Sequence, residues 1–353
     1  MRRIFLIRHG HPDFPLDSKI CLGRTNLPLG PLGRMQACLL ARELQFPELS
    51  SVISSPLLRC RQTAEVFGRP FATENGFVEQ NMGSWDGLDF ETIKKRFPAL
   101  YQERGQNPLL VPPGAETLAE VQQRVLPALR RCVDAGPGDL AVIAHASVIQ
   151  AILSSVMGVP LAESRQFRLP YGAYAVLLWD GEFQVETLKK LPHSDMTPEQ
   201  ADALLSAAAP GERVEAHSRA VAEKAKEIAD ELPLPLDRNA LICAALLHDV
   251  ARTQRNHASV GAAWVKALGY EKEAEFIRQH HDLETDALDE AAVLYLSDKC
   301  IQEDKPVSIE ERFESSAVRC VTVEAKAAHA KRFETAKALQ GRINTLCGRP
   351  VIL

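Results

Sequence analysis

The sequence predicts an α/β domain over residues 1–192 followed by an all-α domain over residues 193–353. Two short, continuous apolar runs, Ile4 to Ile7 and Leu140 to Ala144, have the length and character of strands buried on both faces. From Thr197 onward the apolar residues recur at helical spacing between short loops, with almost no strand signal. At 353 residues the chain exceeds the usual size of one domain and can bury two cores.

The first run ends abruptly in Arg8-His9-Gly10. Ligands of open α/β sheets gather at the carboxyl ends of strands, so His9 is presented as a nucleophile would be. Arg8 beside it disfavours imidazolium and attracts phosphate. Taken alone, the tripeptide reads equally well as a strand-end histidine with a surface arginine, and the rest of the chain decides. After Val52-Ile53, the segment Ser54 to Ala64 begins a helix whose first turns carry Arg59 and Arg61; helix starts and guanidinium groups both suit phosphate oxygens. Glu79 lies in a loop of small and aromatic residues, Val78 to Gly87, where partial desolvation raises a carboxyl pKa and makes it a proton donor. The run Leu140 to Ala144 ends in His145, with a helix pattern after it, so a second histidine faces the first. Strands at Tyr174 to Trp179 and Phe183 to Leu188 finish the domain, and Leu191 to Pro198 is a polar connector in which Thr197, Pro198 and Glu199 form a capped helix start.

In order and spacing these segments resemble the histidine phosphatase superfamily, the phosphoglycerate-mutase-like fold. The resemblance implies a three-layer α/β domain with a mostly parallel sheet. It makes His9 the residue that becomes phosphohistidine, with Arg8, Arg59 and His145 on the phosphoryl oxygens and Glu79 as acid and then base. It implies no metal or other cofactor for this step. Gly23, Gly33 and Gln36-Ala37, together with Pro113 to Thr117, match family segments that read as scaffold or substrate edge. Two positions depart from the pattern: His11-Pro12-Asp13 follows the first motif, where His11 is either a substrate contact or a solvated loop histidine, and Ala146 stands where glycine is common. A mutase is the alternative, but no long insertion suited to retaining a bisphosphate is evident.

In the second domain His217 lies within a helical pattern from Gly211 to Leu232, and His248-Asp249 closes the apolar helix Leu241 to Leu247. His257, His280-His281 and Asp298 follow. Charged groups closing so apolar a helix are costly unless paired, and mixed imidazole and carboxylate donors suit a divalent transition metal. The ordered set resembles the HD-domain metal-dependent phosphohydrolases, with Arg252 where many members have lysine. The resemblance implies metal ligation by His217, His248, Asp249 and Asp298. His257 and His280 fit the subset that binds two ions; His281 is left as an unassigned neighbour. Iron or manganese is expected ahead of magnesium, which prefers oxygen donors.

Net charge is −5 without long basic runs, which argues against nucleic-acid binding, and no apolar run has membrane-spanning length. Eight cysteines without paired spacing read as reduced thiols of a cytoplasmic protein. The expected partner is a small phosphorylated metabolite or a nucleotide; oligomeric state is open. Two function classes follow: a bifunctional phosphohydrolase, or a single-site histidine phosphatase whose HD domain is a metal- or nucleotide-binding regulatory module.

Overall fold

In a computed structural model, which describes residues 1–15, 19–44, 49–191 and 195–352, the amino-terminal apolar run forms β1 (Arg2–Arg8). Its side chains alternate between two buried faces, which explains why the run is apolar throughout. On one face Ile4 and Leu6 join Leu140, Val142 and the helices α5 (Leu118–Asp134) and α6 (Ala146–Val156). On the other, Phe5 and Ile7 join Ala141, Ile143 and residues of α1 (Pro31–Glu43) and α2 (Leu58–Glu65). Among the described residues this part also has the α-helices α3 (Phe90–Arg96) and α4 (Pro98–Gln106) and a 3-10 helix, Leu161–Phe167.

The sheet order is β3-β2-β4-β1-β5-β6, with β2 at Leu49–Ser54, β3 at Ala72–Thr73, β4 at Asp139–Ala144, β5 at Tyr174–Trp179 and β6 at Phe183–Lys190. The pairings of β1 with β4, β4 with β2 and β2 with β3 are parallel, while β5 and β6 add an antiparallel edge. This is a three-layer α/β fold with a mostly parallel sheet. Contacts divide the chain into two compact units, Met1–Pro192 and His193–Leu353; Pro192, His193 and Ser194 of the expected connector lie outside the described residues.

The second unit consists of α7 (Pro198–Ala208), α8 (Glu212–Glu231), α9 (Arg238–Leu247), α10 (His257–Ala267), α11 (Glu271–Arg278), α12 (Glu290–Lys299), α13 (Ile309–Ala317) and α14 (Val323–Cys347). Thr197 caps α7 by accepting from the Gln200 N–H, with Pro198 at the first helical position. Every residue of α12 from Ala291 to Lys299 is buried, the mark of a helix at the centre of its bundle. One feature departs from the expected absence of strands: a two-stranded hairpin, β7 (Ile301–Gln302) and β8 (Lys305–Pro306), turns at Glu303, whose φ is 59°. Two-residue strands are too short to show an alternation in sequence.

Among the described residues no single helix is long and apolar enough to cross a membrane. The bent pair Ala146–Val156 and Leu161–Phe167 passes by composition, but Val148, Ile149, Ile152 and Leu153 are fully buried in the core beside the sheet.

Candidate functional sites

The register of β1 on β4 pairs Arg8 with Ala144, so the residues that follow each strand, His9 and His145, stand side by side. Their rings lie 5.0 Å apart and both are buried. Arg59, in the first turn of α2 and fully buried, donates from Nε to His9 Nε2 at 3.2 Å. Its other two nitrogens donate to the carbonyls of Thr25 (2.9 Å) and Gly23 (2.8 Å), which fixes the guanidinium. His9 Nδ1 lies 2.7 Å from the Gly10 carbonyl. A carbonyl only accepts, so the proton sits on Nδ1 and Nε2 carries the lone pair, which accepts from Arg59 Nε.

Arg8 Cζ lies over the Tyr171 ring, 3.8 Å from its centroid, and the guanidinium donates to the Leu169 carbonyl at 2.5 Å. His145 Nε2 is 2.8 Å from Ser55 Oγ, and His145 itself precedes the first turn of α6, whose amino end therefore faces the cluster. Burial, with Arg59 and Arg8 adding repulsion, holds the His9 pKa well below the ordinary histidine value. Burial and Arg59 do the same to His145. The Glu79 carboxyl is pushed up by burial, against an N–H from Gln80 at 2.8 Å and the charges of Arg59 and Arg8. Arg8 and Glu79 open onto a cavity of about 480 Å³ walled further out by Lys19, Trp85, Tyr101 and Arg168. An imidazole lone pair, fixed cations and a carboxyl whose pKa is raised can act as a nucleophile, a charge stabiliser and an acid in one place.

All five residues named from sequence thus converge, whereas Arg61 is exposed and does not join them. His11 is half-buried, with its ring 5.2 Å from Phe14 and 5.1 Å from Tyr171, the same ring that lies against Arg8 and His9. The scaffold segments buttress the cluster. A Cβ on Gly33 would meet the His11 carbonyl at 2.1 Å, so only glycine allows α1 to start this close to the loop. Arg124, paired with Glu116 at 2.6 Å, donates to the Glu79 carbonyl at 3.3 Å. Tyr171 and Ser55 were not anticipated, and no local pattern marks them.

The second unit gathers His217 (α8), His248 and Asp249 (after α9), His257 (first residue of α10), His280 (after α11) and Asp298 (α12). His217 Nε2 lies 3.1 Å and His248 Nε2 3.7 Å from Asp298 Oδ1. His257 Nε2 lies 3.2 Å and His280 Nε2 3.6 Å from Asp249 Oδ1. Each Nδ1 of three histidines donates to a carbonyl: His217 to Glu303 (2.6 Å), His248 to Ala245 (2.7 Å) and His280 to Ile277 (2.7 Å). That pins the tautomer and turns each Nε2 toward the carboxylates, as ligand histidines require.

His248 Nε2, His280 Nε2 and Asp249 Oδ1 are buried without a hydrogen-bond partner. Such orphaned atoms are costly unless something satisfies them, and a divalent cation fits this donor set. Two groups of donor atoms lie within 4.8 Å of one another: Asp249, His257, His280 and His281, and His217, His248 and Asp249. They share Asp249. His281, unassigned from sequence, therefore enters the cluster, its Nε2 2.7 Å from His257 Nε2; its pKa is lowered to about 2 by burial and then by His280.

Burial opposes charge on Asp298, but Lys299, His217 and His248 outweigh it and hold this carboxyl well below the usual range. Lys299 Nζ donates to Asp298 Oδ2 at 2.6 Å and to the His280 carbonyl at 3.1 Å. His217, Asp249, His281 and Asp298 open onto a cavity of about 610 Å³.

Comparison with known proteins finds the histidine phosphatase superfamily (branch 1) over residues 4–190 and the HD domain over residues 214–302. The chain is 29% identical over 164 residues to an uncharacterized phosphatase, PhoE, of Bacillus subtilis, covering 45% of this chain and 79% of that protein. It is 26% identical over 200 residues to a putative phosphoserine phosphatase 2 of Hydrogenobacter thermophilus, covering 55% and 98%. The solved structure of a mycobacterial hydrolase 2 superimposes with a TM-score of 0.51 at 22% identity, over 59% of this chain and 97% of that one, a likeness of fold.

Proposed function

This chain belongs to the histidine phosphatase superfamily and carries an HD domain, and from that premise we propose a bifunctional phosphohydrolase, with residues 1–192 as its phosphatase domain and 193–353 as a metal-dependent HD hydrolase domain. The chain is a phosphoric ester hydrolase; the residue roles and the second activity are the proposal. In the first site His9 Nε2 attacks phosphorus in line while Arg8, Arg59 and His145 take the charge of the equatorial oxygens. Glu79 delivers its proton to the departing alcohol, then takes one from the water that cleaves the phosphohistidine. The substrate is a small phosphorylated metabolite.

In the second site His217, His248, Asp249 and Asp298 would hold one divalent transition metal, and Asp249 with His257, His280 and His281 would hold a second, iron or manganese by donor type. Bound there, such ions supply Lewis-acid neutralisation of phosphate oxygens and a water acidic enough to attack near neutral pH. The chain's own part is to fix the tautomers, through Glu303, Ala245 and Ile277, and to hold Asp298 ionised through Lys299. A phosphate ester, nucleotides included, is the substrate class.

The observation that carries the second activity is the set of orphaned buried donors that share Asp249. Metal analysis of the purified full chain tests it, with about two transition-metal ions per chain expected. One ion, indifferent to His257→Ala and His280→Ala, leaves a mononuclear site; none under reducing, metal-replete conditions makes the HD domain a regulatory or structural module. Trapping acid-labile, base-stable phosphate on the wild-type protein, absent from His9→Ala, tests the first site.

A further inference from the structure

The cavity above the HD cluster is lined by four arginines, Arg213, Arg252, Arg312 and Arg319. Two are committed. Arg213 pairs with Glu303 at 2.7 Å, and Arg252 lies 2.9 Å from His257 Nε2 and 3.6 Å from Asp249. The other two face no carboxylate at ion-pair distance among the described residues, and Arg312 Nε is buried without a hydrogen-bond partner. Of the acids on α13, Glu310 pairs with Lys337 at 2.6 Å, Glu311 accepts from Ser308 at the helix start, and Glu314 does not line the cavity.

Arg312, Ser315 and Arg319 all line this cavity, and their spacing of three and seven residues puts them along one face of α13 and its following turn. Ser315 Oγ donates to Gln302 Oε1 at 2.9 Å, tying that face to the hairpin whose Glu303 carbonyl orients His217. The carboxylates in the cavity are already spoken for, Asp249 and Asp298 by the histidine cluster and Glu303 by Arg213. What remains on this wall is positive, and a guanidinium presents a planar fork that matches phosphate oxygens.

We propose that Arg312 and Arg319 form a subsite for a second, non-scissile phosphoryl group, so that the HD site takes phosphate esters bearing two phosphoryl groups. This rests on the HD domain being a phosphohydrolase. The scissile group lies over the histidine and aspartate cluster, and the second reaches the α13 wall. The shared chemistry is a bisphosphorylated ligand, whether nucleoside diphosphate or sugar bisphosphate.

The test is rapid cold ultrafiltration of the metal-loaded full chain with AMP against ADP, and with fructose 6-phosphate against fructose 1,6-bisphosphate. Chelator-treated protein serves as the blank for the phosphatase domain, and metal content is measured in every sample. The second phosphoryl group should tighten metal-dependent binding by about tenfold or more in one of the two pairs, which identifies the source. Arg312→Met and Arg319→Met should each erase most of that gain while changing the monophosphate affinity and the metal content by less than about twofold. Arg319 is exposed, so its substitution leaves folding intact and keeps the test decisive if Arg312→Met is unstable. No gain in either pair, or a gain untouched by Arg319→Met and by a folded Arg312→Met, overturns the subsite. Loss of all metal-dependent binding, monophosphates included, instead overturns the hydrolase reading on which it rests.

Discussion

The histidines of the two units sit in opposite electrostatic surroundings. Around His9 and His145 the chain itself places cations, Arg8 and Arg59, and the nearby carboxyl of Glu79 is shifted toward its neutral form. Around His248 and His280 it places anions, Asp249 and Asp298, and leaves donor atoms buried without partners. Burial opposes charge on His248, yet those carboxylates raise its pKa, whereas burial and arginines drive His9 down. In the proposed reading the first site carries its own charge for a phosphoryl transition state and the second is completed by a cation, so that similar residue types serve two chemistries because the neighbouring charge differs in sign.

The largest effect that would break this contrast is expected from His9→Ala. Without a nucleophile, chelator-resistant turnover should fall by about 10⁴-fold or more, while metal content stays unchanged; near wild-type turnover would end the covalent mechanism. Next is Glu79→Gln, expected to slow that same activity by about 10²- to 10⁴-fold on substrates with poor leaving groups. Its pH profile sharpens the assignment. Because the Glu79 pKa is raised and its protonated form is the acid, kcat/KM should decline as pH rises through that value. Because the His9 pKa is lowered, no acid limb from His9 should appear in the neutral range. Glu79→Gln should abolish the alkaline decline, and a decline that persists assigns it to another group.

In the other unit, Asp249→Ala should strip metal from both halves of the cluster, whereas His281→Ala should weaken only the second ion, by about 10- to 100-fold. Equal loss of both ions on His281→Ala would contradict the shared-aspartate arrangement. The smallest effect is expected from Gly33→Ala, whose Cβ collides with the His11 carbonyl. It should destabilise the phosphatase unit by about 1–3 kcal/mol, read as a lower thermal midpoint, with metal affinity untouched.

The parts of both sites that lie at strand or helix ends were readable from sequence, since an apolar run ending in histidine or His-Asp announces itself. His9, His145, His248 and Asp249 are of this kind. What stayed hidden depends on long-range placement. The pairing of Arg8 with Ala144, which sets the two histidines side by side, is a register that a run buried on both faces does not encode. Tyr171 reaches Arg8 and His9 from a loop distant in sequence, and the Glu303 carbonyl reaches His217 from a hairpin of two-residue strands. His281 was legible as a residue but not as a donor, because the bend after α11 decides that both adjacent histidines reach the cluster. Arg61 shows the converse: its place beside Arg59 in sequence becomes a different face of α2, and it points to solvent.

The central claim, that one site carries its own positive charge and the other borrows it, is tested most directly by phosphatase turnover of wild type and His9→Ala with and without a chelator, across a panel of phosphorylated metabolites and nucleotides. The account predicts two separable activities: one that survives chelation and disappears in His9→Ala, and one that survives in His9→Ala and disappears on chelation. A single activity lost to both treatments, or a His9-dependent activity abolished by the chelator, would contradict it.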